Sequence, residues 1–223
     1  MERKLYQHCV FYDCGHGGIS PAGVYTTYPS KMFQHTKGEF HSNGVFYEGL
    51  KNRVYGWEVI RLLREKGINV VEVNHHWQDT DLVDRVAVAN LYHSKVQKGF
   101  YVSEHSNATG EHTARGLSIW TSKGQNTSDV LADKFMEMFQ ATSEASVGRI
   151  RQMSDLKDGD TDYEANFYVL VNTIMPAVLI ENMFFDNYAD ASLLMDKKYF
   201  EYYTRLQADW IEWCVQHLDQ TKL

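Results

Sequence analysis

Short apolar segments alternate along the chain with longer segments whose apolar residues recur at helical spacing. Five apolar segments predict β-strands: HCVFYD (8–13), INVVEV (68–73), GFYVSEH (99–105), GLSIWTS (116–122) and PAVLIEN (176–182). Helical spacing predicts helices over 48–67, 81–95, 127 to about 142 and 197–219, and a further helical segment at 167–174. We therefore predict an α/β fold in a single three-layer domain. Its mostly parallel, twisted sheet of about six strands is flanked by helices, in a phosphorylase/hydrolase-like arrangement.

One long segment, from Gly15 to Tyr47, interrupts this alternation. It is polar and contains scattered glycines together with Pro21 and Pro29, so we interpret it as an elaborated loop. Loops of this length tend to be functional, but the sequence does not define the role of residues 17–47. The chain shows no internal repeat and no low-complexity linker, and residues 1–223 are predicted to form one domain.

Composition and charge narrow the function classes. Apolar residues make up 43% and charged residues 23% of the chain, as is typical of a soluble globular protein. The net charge of −7 argues against a nucleic-acid partner, because a phosphate backbone requires a basic surface. No apolar run approaches the roughly 18 residues of a membrane span, and the start MERKLYQHCVFYD lacks the apolar core of a signal peptide. We expect no membrane insertion, and we expect a monomer.

The three cysteines are predicted to be reduced thiols. Cys9 and Cys14 lie on one predicted strand, about 16 Å apart and on opposite faces of the sheet. A disulfide requires Cα atoms within about 7 Å, so this pair cannot form one while the strand is extended. Cys214 stands alone on the last predicted helix.

Four side chains with acid–base or metal-binding chemistry follow buried strands or open a helix. His16 follows the first strand, His105 follows GFYVS, Glu181 follows PAVLI, and Glu48 opens the first helix. Because the carboxyl ends of parallel strands meet at one edge of the sheet, we expect these residues to lie close together. Two imidazoles and one carboxylate form a common ligand set for catalytic zinc, and a further carboxylate can act as general base.

Each of these residues also has a structural interpretation. His16 can be a turn residue between glycines, Glu48 can complement the dipole of its helix, and His105 can cap a strand. Cys14 can lend a thiolate to a metal or simply belong to the turn. Glu181 is different, because a carboxylate that ends an apolar strand is desolvated and needs a partner or a task.

Five segments resemble the successive motifs of a known enzyme family. They are YDCGHGG (12–18), YEGLKNR (47–53), LVDRVAVAN (82–90), FYVSEHSNAT (100–109) and FYVLVNTIMPAVLIENMFFDN (167–187). In this order they resemble the zinc-dependent N-acetylmuramoyl-L-alanine amidases of the amidase 3 family. The resemblance covers residues 9 to about 190. The long interval before Glu48 resembles the loop of amidases from Bacteroides-type bacteria and their phages.

The resemblance implies one zinc ion per chain, bound by His16, Glu48 and His105, with Glu181 as the catalytic residue. It further implies that the protein acts on peptidoglycan, for cell lysis or wall remodelling. The bond cleaved would be the amide between N-acetylmuramic acid and the L-alanine of the stem peptide. Glu181 would take a proton from water during attack and return it to the leaving amine.

Other residues are assigned less directly. Arg85 and Asn90 match the family's arginine and asparagine on the second helix, where we expect a scaffold role. Asn107, His112 and Arg115 are expected to contact the substrate. Glu104 stands where the family usually has an apolar residue. Strand alternation sends it to the face opposite His105, where it needs water or a partner.

Two other functions stay open on the sequence alone: a zinc peptidase acting within the stem peptide, and a non-catalytic wall-binding protein. We expect no separate wall-binding module. We expect cytoplasmic synthesis followed by release to the wall, as for a phage lysin. A bacterial enzyme whose signal peptide has been removed would instead be periplasmic or exported, so phage or bacterial origin is not decided.

Overall fold

The computed structural model describes residues 7–148, 150–155 and 159–219, so the predicted domain boundaries at residues 1 and 223 lie outside it. The strands are β1 (Cys9–Cys14), β2 (Met32–Gln34), β3 (Val45–Tyr47), β4 (Asn69–Glu72), β5 (Gly99–Asn107), β6 (Ser118–Thr121), β7 (Tyr163–Glu164) and β8 (Ala177–Phe184). Six of them form one sheet in the order β4–β1–β5–β8–β6–β7. Neighbours are parallel except β6 and β8, which are antiparallel. The predicted, mostly parallel sheet is confirmed.

Helices cover both faces of this sheet. They are α1 (Glu48–Glu65), α2 (Leu82–Val96), α3 (Thr127–Val147), α4 (Tyr168–Asn172), α5 (Tyr188–Leu194) and α6 (Lys197–His217). The larger apolar core lies between the sheet and α1, α3 and α6, and the smaller core lies between the sheet and α2 and α4. The predicted three-layer α/β architecture is therefore confirmed. Within the described residues, no helix combines the length and apolar character that crossing a membrane requires.

Alternation along β1 divides its side chains between the two cores. Val10, Tyr12 and Cys14 face the larger core, whereas Cys9 and Phe11 face the smaller one. Cys9 and Cys14 thus lie on opposite faces, and both are free thiols, as predicted. The same alternation in β5 and β8 turns His105 and Glu181 toward one side and Glu104 toward the other.

The segment predicted as a loop between Gly15 and Tyr47 contains regular structure. A short 3₁₀ helix spans Pro29–Lys31, and β2 pairs with β3 in an antiparallel ribbon. Asn43 (φ +46°) and Gly44 (φ +82°) form a tight turn closed by a hydrogen bond from Val45 N to Ser42 O of 2.7 Å. The strands have three residues each, so they are too short to show an alternating pattern.

Several predicted bounds differ from the structure. β5 and β8 continue to Asn107 and Phe184, because polar side chains end the apolar pattern before hydrogen bonding between the strands ends. The predicted strand 116–122 is shorter, and α3 continues to Val147 through a polar last turn that carries no apolar stripe. The sequence did not predict β7 and α5, which are short elements.

Candidate active site

The four predicted site residues meet at the carboxyl-terminal edge of the sheet. His16 lies two residues beyond β1, and Glu48 is the first residue of α1. His105 and Glu181 lie directly opposite each other in the register of β5 and β8. Both sit within strands, as the predicted ranges 99–105 and 176–182 already place them, and β5 and β8 continue beyond them to Asn107 and Phe184. A bulge follows in β8, where Met183 has φ +65° and the next pair is Asn107 with Phe184.

Two imidazoles converge on the carboxylate of Glu48. Its Oε1 atom lies 3.3 Å from His16 Nε2 and 3.1 Å from His105 Nδ1. The two imidazole rings are nearly perpendicular, at 86°, with their centroids 4.8 Å apart. One ligand atom from each residue lies within 4.8 Å of the others. Donors around a tetrahedral zinc ion are about 3.4 Å apart, so this cluster has the composition and approximate spacing of a zinc ligand set.

Buried polar atoms without partners support the same interpretation. Glu48 is completely buried, and within the described chain its Oε2 atom has no hydrogen-bond partner. His16 Nε2, whose contact with Glu48 lacks hydrogen-bond geometry, and Glu181 Oε2 are likewise buried without one. Buried polar atoms left unpaired destabilise a fold, and a cation bound among them would remove that penalty. The residues present therefore fit a divalent metal.

Two glycines permit this convergence. A Cβ atom on Gly15 would lie 2.2 Å from His105 Cε1, and one on Gly49 would lie 1.8 Å from Gly17 O. His16, which follows Gly15 directly, has φ +68°, a left-handed conformation that is uncommon for residues other than glycine. Such strain persists where the surrounding structure enforces it, and here it accompanies the turn that presents His16.

The charges of the cluster match those of metal ligands. Burial raises the pKa of Glu48, but the neighbouring His16 and His105 outweigh burial and hold it well below its usual range. Burial, aided by the positive charges of His105 and Lys31, lowers the pKa of His16 although Glu48 raises it. The cluster thus favours an ionised carboxylate and a neutral imidazole, the protonation states that a metal requires of its ligands.

Glu181 has the opposite electrostatic environment. Burial, followed by the negative charge of Glu48, raises its pKa to about 8. Lys31, His16 and Lys51 act in the opposite direction. A carboxyl group whose pKa lies near neutrality can both accept and donate a proton, which is the requirement for acid–base catalysis.

A buried ion pair supports the cluster from the other side of β5. Lys51 Nζ lies 2.7 Å from Glu104 Oε1 and donates to His105 O at 3.2 Å. The second oxygen of Glu104 accepts from Tyr203 Oη at 2.8 Å and from Gln207 Nε2 at 2.9 Å. The prediction that Glu104 faces away from His105 and has a partner is confirmed. Lys51 was not predicted, although its position one helical turn after Glu48 is a usable signal.

The second helix contributes to the scaffold rather than to the cluster. Arg85 pairs with Asp13 at 3.1 Å and with Asp79 at 2.9 Å. Asp13, on β1, also accepts a hydrogen bond from Ser103 on β5. Asn90 donates to Asn172 O at 2.9 Å, tying α2 to α4. These contacts agree with the scaffold role expected for Arg85 and Asn90.

The predicted substrate residues lie at the same edge of the sheet but not within the cluster. Asn107 Oδ1 accepts a hydrogen bond from Ala108 N, at the end of β5. His112 is paired with Asp186, and Arg115 is paired with Asp190, each at 2.8 Å. Their side chains are about half exposed, so surface is left for a ligand.

Cys14 and the other loop histidines do not join the cluster. Cys14 is buried in the larger core beside Gly56, and burial raises the pKa of its thiol well above the usual value. His75 Nδ1 accepts hydrogen bonds from the backbone of Trp77 and Gln78. His41 similarly accepts from Tyr47 N. These side chains complete local turns.

The fold and the His–Glu–His cluster define a three-layer α/β protein with a candidate metal centre of the hydrolytic type. Residues 10–212 match the N-acetylmuramoyl-L-alanine amidase family, and the chain belongs to that family. A sporulation-specific N-acetylmuramoyl-L-alanine amidase of Bacillus subtilis is 25% identical over 209 residues. That alignment covers 91% of this chain and 66% of the relative, so the chain spans slightly less than two thirds of its length.

Solved structures show the same fold. An N-acetylmuramoyl-L-alanine amidase from Clostridium difficile 630 superposes with a TM-score of 0.71 at 23% identity, covering 96% of this chain and 98% of that one. The amidase AmiC2 of Nostoc punctiforme gives 0.70 at 20% identity, covering 96% and 99%. The catalytic domain of the CD27L endolysin gives 0.56 at 15% identity, covering 91% and 94%. At these identities the likeness establishes the fold alone.

Proposed function

We propose that this protein is a zinc-dependent peptidoglycan amidase that hydrolyses the amide between N-acetylmuramic acid and the L-alanine of the stem peptide. One observation carries the proposal. This chain belongs to the amidase family, and one ligand atom from each of His16, Glu48 and His105 lies within 4.8 Å of the others. Glu181 lies opposite His105 in the sheet. The family match supplies the substrate class, and the cluster supplies the chemistry.

His16, Glu48 and His105 would hold one zinc ion, with Glu181 outside the ligand set. When bound, zinc supplies a Lewis acid that lowers the pKa of water toward about 7 and polarises a carbonyl group. The chain's own contribution is to fix these ligands. Gly15 and Gly49 allow their close approach, and Lys51 holds the backbone of His105. Ligands fixed in this way need little rearrangement when the ion binds.

Glu181 moves the proton. It accepts a proton from water as the water oxygen adds to the amide carbonyl carbon. It then returns that proton to the amide nitrogen as the carbon–nitrogen bond breaks. The products are a carboxylic acid on the muramyl side and a free amine on L-alanine. The raised pKa of Glu181 suits both steps, because the carboxyl group gains and loses a proton near neutral pH.

Contacts with the remainder of the substrate are proposed for Asn107, His112 and Arg115. His112 and Arg115 are anchored by Asp186 and Asp190, which orients them without burying them. The ring centroid of Phe33, on β2, lies 4.4 Å from that of His112. Phe33 therefore extends the surface formed by His112 and Arg115. Action as a monomer, and cytoplasmic synthesis followed by release to the wall, stay predictions.

A digest of purified sacculi tests the proposal. The zinc-loaded protein is expected to release new L-alanine amino termini without new reducing sugars, and removal of zinc with a chelator should stop this release until zinc is restored. Mass spectrometry of the products identifies the bond. Amino termini of other stem residues would instead indicate a peptidase, and unchanged sacculi would indicate a non-catalytic wall-binding protein. Either result contradicts the proposal.

A further inference from the structure

Lys31 brings a positive charge to the candidate active site from the segment between β1 and α1. Its Nζ atom lies 3.6 Å from Glu48 Oε2, the carboxylate oxygen that has no hydrogen-bond partner in the described chain. The charge of Lys31 also lowers the pKa of Glu181 and of His16, so the ammonium group acts on both. No other lysine side chain in the described residues pairs with the carboxylate of Glu48.

Several contacts of the segment hold Lys31 in this position. Tyr25 Oη accepts a hydrogen bond from Gly49 N at 3.0 Å and donates one to Lys31 O at 2.9 Å, linking Lys31 to the first turn of α1. Pro29 begins the 3₁₀ helix that Lys31 ends. The next strand, β2, pairs with β3, which runs directly into Glu48. The placement of Lys31 is therefore set by the fold of the segment.

The two lysines near the cluster differ in what their ammonium groups can still bind. Lys51 is 1% exposed and has Glu104 Oε1, Asn52 Oδ1 and His105 O as acceptors. The side chain of Lys31 is 38% exposed, and in the described chain its single ion-pair partner is Glu48. An ammonium group has three donors, so Lys31 keeps donors available on the solvent side of the cluster, where a substrate must enter.

We infer that Lys31 is a further catalytic residue, whose ammonium group binds the carbonyl oxygen of the scissile amide and stabilises the negative charge that develops there. This inference rests on the proposed amidase function. As the water oxygen bonds to the carbonyl carbon and its proton passes to Glu181, the carbonyl π electrons move to the oxygen beside Lys31. They return when the carbon–nitrogen bond breaks and Glu181 protonates the nitrogen. A fixed cation next to that oxygen lowers the barrier of the addition step.

Two other roles for the same charge make different predictions. If Lys31 binds a carboxylate of the stem peptide, its loss raises KM and leaves kcat unchanged. If Lys31 only orients Glu48, its loss weakens zinc binding and affects catalysis through the metal. A group that stabilises the oxyanion acts mainly on kcat, because the charge it binds exists only as the reaction proceeds.

The test compares Lys31→Met with Lys31→Arg and Lys37→Met in the zinc-loaded full chain. Lys37 comes from the same segment, but its Nζ atom lies over the ring of Tyr188, 4.4 Å from the centroid, which makes it a matched control. Kinetics on a soluble muramyl-peptide should show kcat about 10- to 100-fold lower for Lys31→Met. KM and zinc affinity should stay at the parental values. Lys31→Arg should recover part of kcat, and Lys37→Met should match the parent.

A binding measurement separates this role from a structural one. A phosphinate analogue, in which an anionic tetrahedral phosphorus replaces the amide carbonyl, should bind Lys31→Met about 10-fold more weakly than the parent. Unchanged kcat, a rise in KM alone, or a parallel loss of zinc affinity would each overturn the inference while leaving the amidase proposal intact. A parent protein that releases no L-alanine amine would overturn both.

Discussion

Lys51 and Glu104 form an ion pair of 2.7 Å that is buried beside the candidate metal centre. One member holds the backbone of His105, and the other connects β5 to Tyr203 and Gln207 on α6. The pair therefore couples the position of a proposed ligand to the packing of the last helix.

Replacement of Lys51 by Met should destabilise the protein strongly. It leaves the carboxylate of Glu104 buried without its cation, and breaking a buried pair in this way typically costs about 3–5 kcal/mol. The double variant Lys51→Met/Glu104→Met should be more stable than Lys51→Met alone, because no unpaired charge remains. Urea unfolding measures both. The exposed Lys197→Met serves as control and should change the free energy of unfolding by less than about 0.5 kcal/mol. A Lys51→Met variant as stable as this control would contradict the account.

Replacement of Gly15 by Ala should displace the ring of His105. The added methyl group would lie 2.2 Å from Cε1 of His105, which is shorter than any permitted van der Waals contact, so the ring or the turn must move. Zinc affinity, measured by competition with a chromogenic chelator, should fall about 10-fold or more. Gly110→Ala is the matched control, because a Cβ atom there meets nothing within 4 Å. Parental zinc affinity in Gly15→Ala would show that the close approach of Gly15 to His105 is not needed.

Removal of zinc should lower thermal stability in the parent but not in a ligand variant. Zinc held by the proposed ligands would stabilise the folded chain, by about 4 kcal/mol at about 1,000 times its dissociation constant. In His105→Ala the melting temperature should no longer respond to zinc or chelator. The exposed His76→Ala should respond like the parent. A zinc response that persists in His105→Ala would place the ion elsewhere.

Asp162 should make stability depend on pH. Burial, together with the negative charges of Asp160 and Asp129, raises its pKa to about 7. The folded chain therefore keeps a proton at Asp162 that the unfolded chain releases above about pH 4. Its contribution to the free energy of unfolding falls as pH rises from about 4 to about 7. Asp162→Asn keeps an acceptor for Thr121 and should flatten the pH dependence in urea unfolding. Asp84→Asn, on an exposed turn of α2, is the control and should leave the pH dependence of the free energy of unfolding unchanged. If Asp162→Asn showed the same pH dependence as the parent, the raised pKa of Asp162 would be contradicted.

The fold could be predicted wherever the core is apolar. Continuous apolar strands and the aromatic stripe of α6 identify the sheet and its last helix, and Tyr203, Leu206 and Trp210 of that stripe are buried. The apolar residues of α1 do not all mark its inner face, because Val54 and Trp57 are exposed, at 45% and 43%. Lys51 and Arg53 are buried instead. When a helix buries charged residues that form ion pairs and contacts with the backbone, the spacing of its apolar residues does not identify its buried face.

The grouping of the candidate site residues could be predicted because three of them lie at the edge where β1, β5 and β8 end. The carboxyl ends of parallel strands meet at one edge whatever the strand order, so His16, His105 and Glu181 could be grouped without coordinates. Lys31 could not be found in this way. It lies in a segment whose short strands carry no periodic signal, and only the folded hairpin brings it beside Glu48.

The central claim is that the cluster binds zinc and that Glu181 transfers the proton. Glu181→Gln tests it most directly, with zinc content and L-alanine release measured on the same preparation. The account predicts one zinc ion per chain, as in the parent, and turnover reduced about 10²- to 10⁴-fold, the contribution of a general acid–base group. Cleavage of peptidoglycan by Glu181→Gln at close to the parental rate would contradict it.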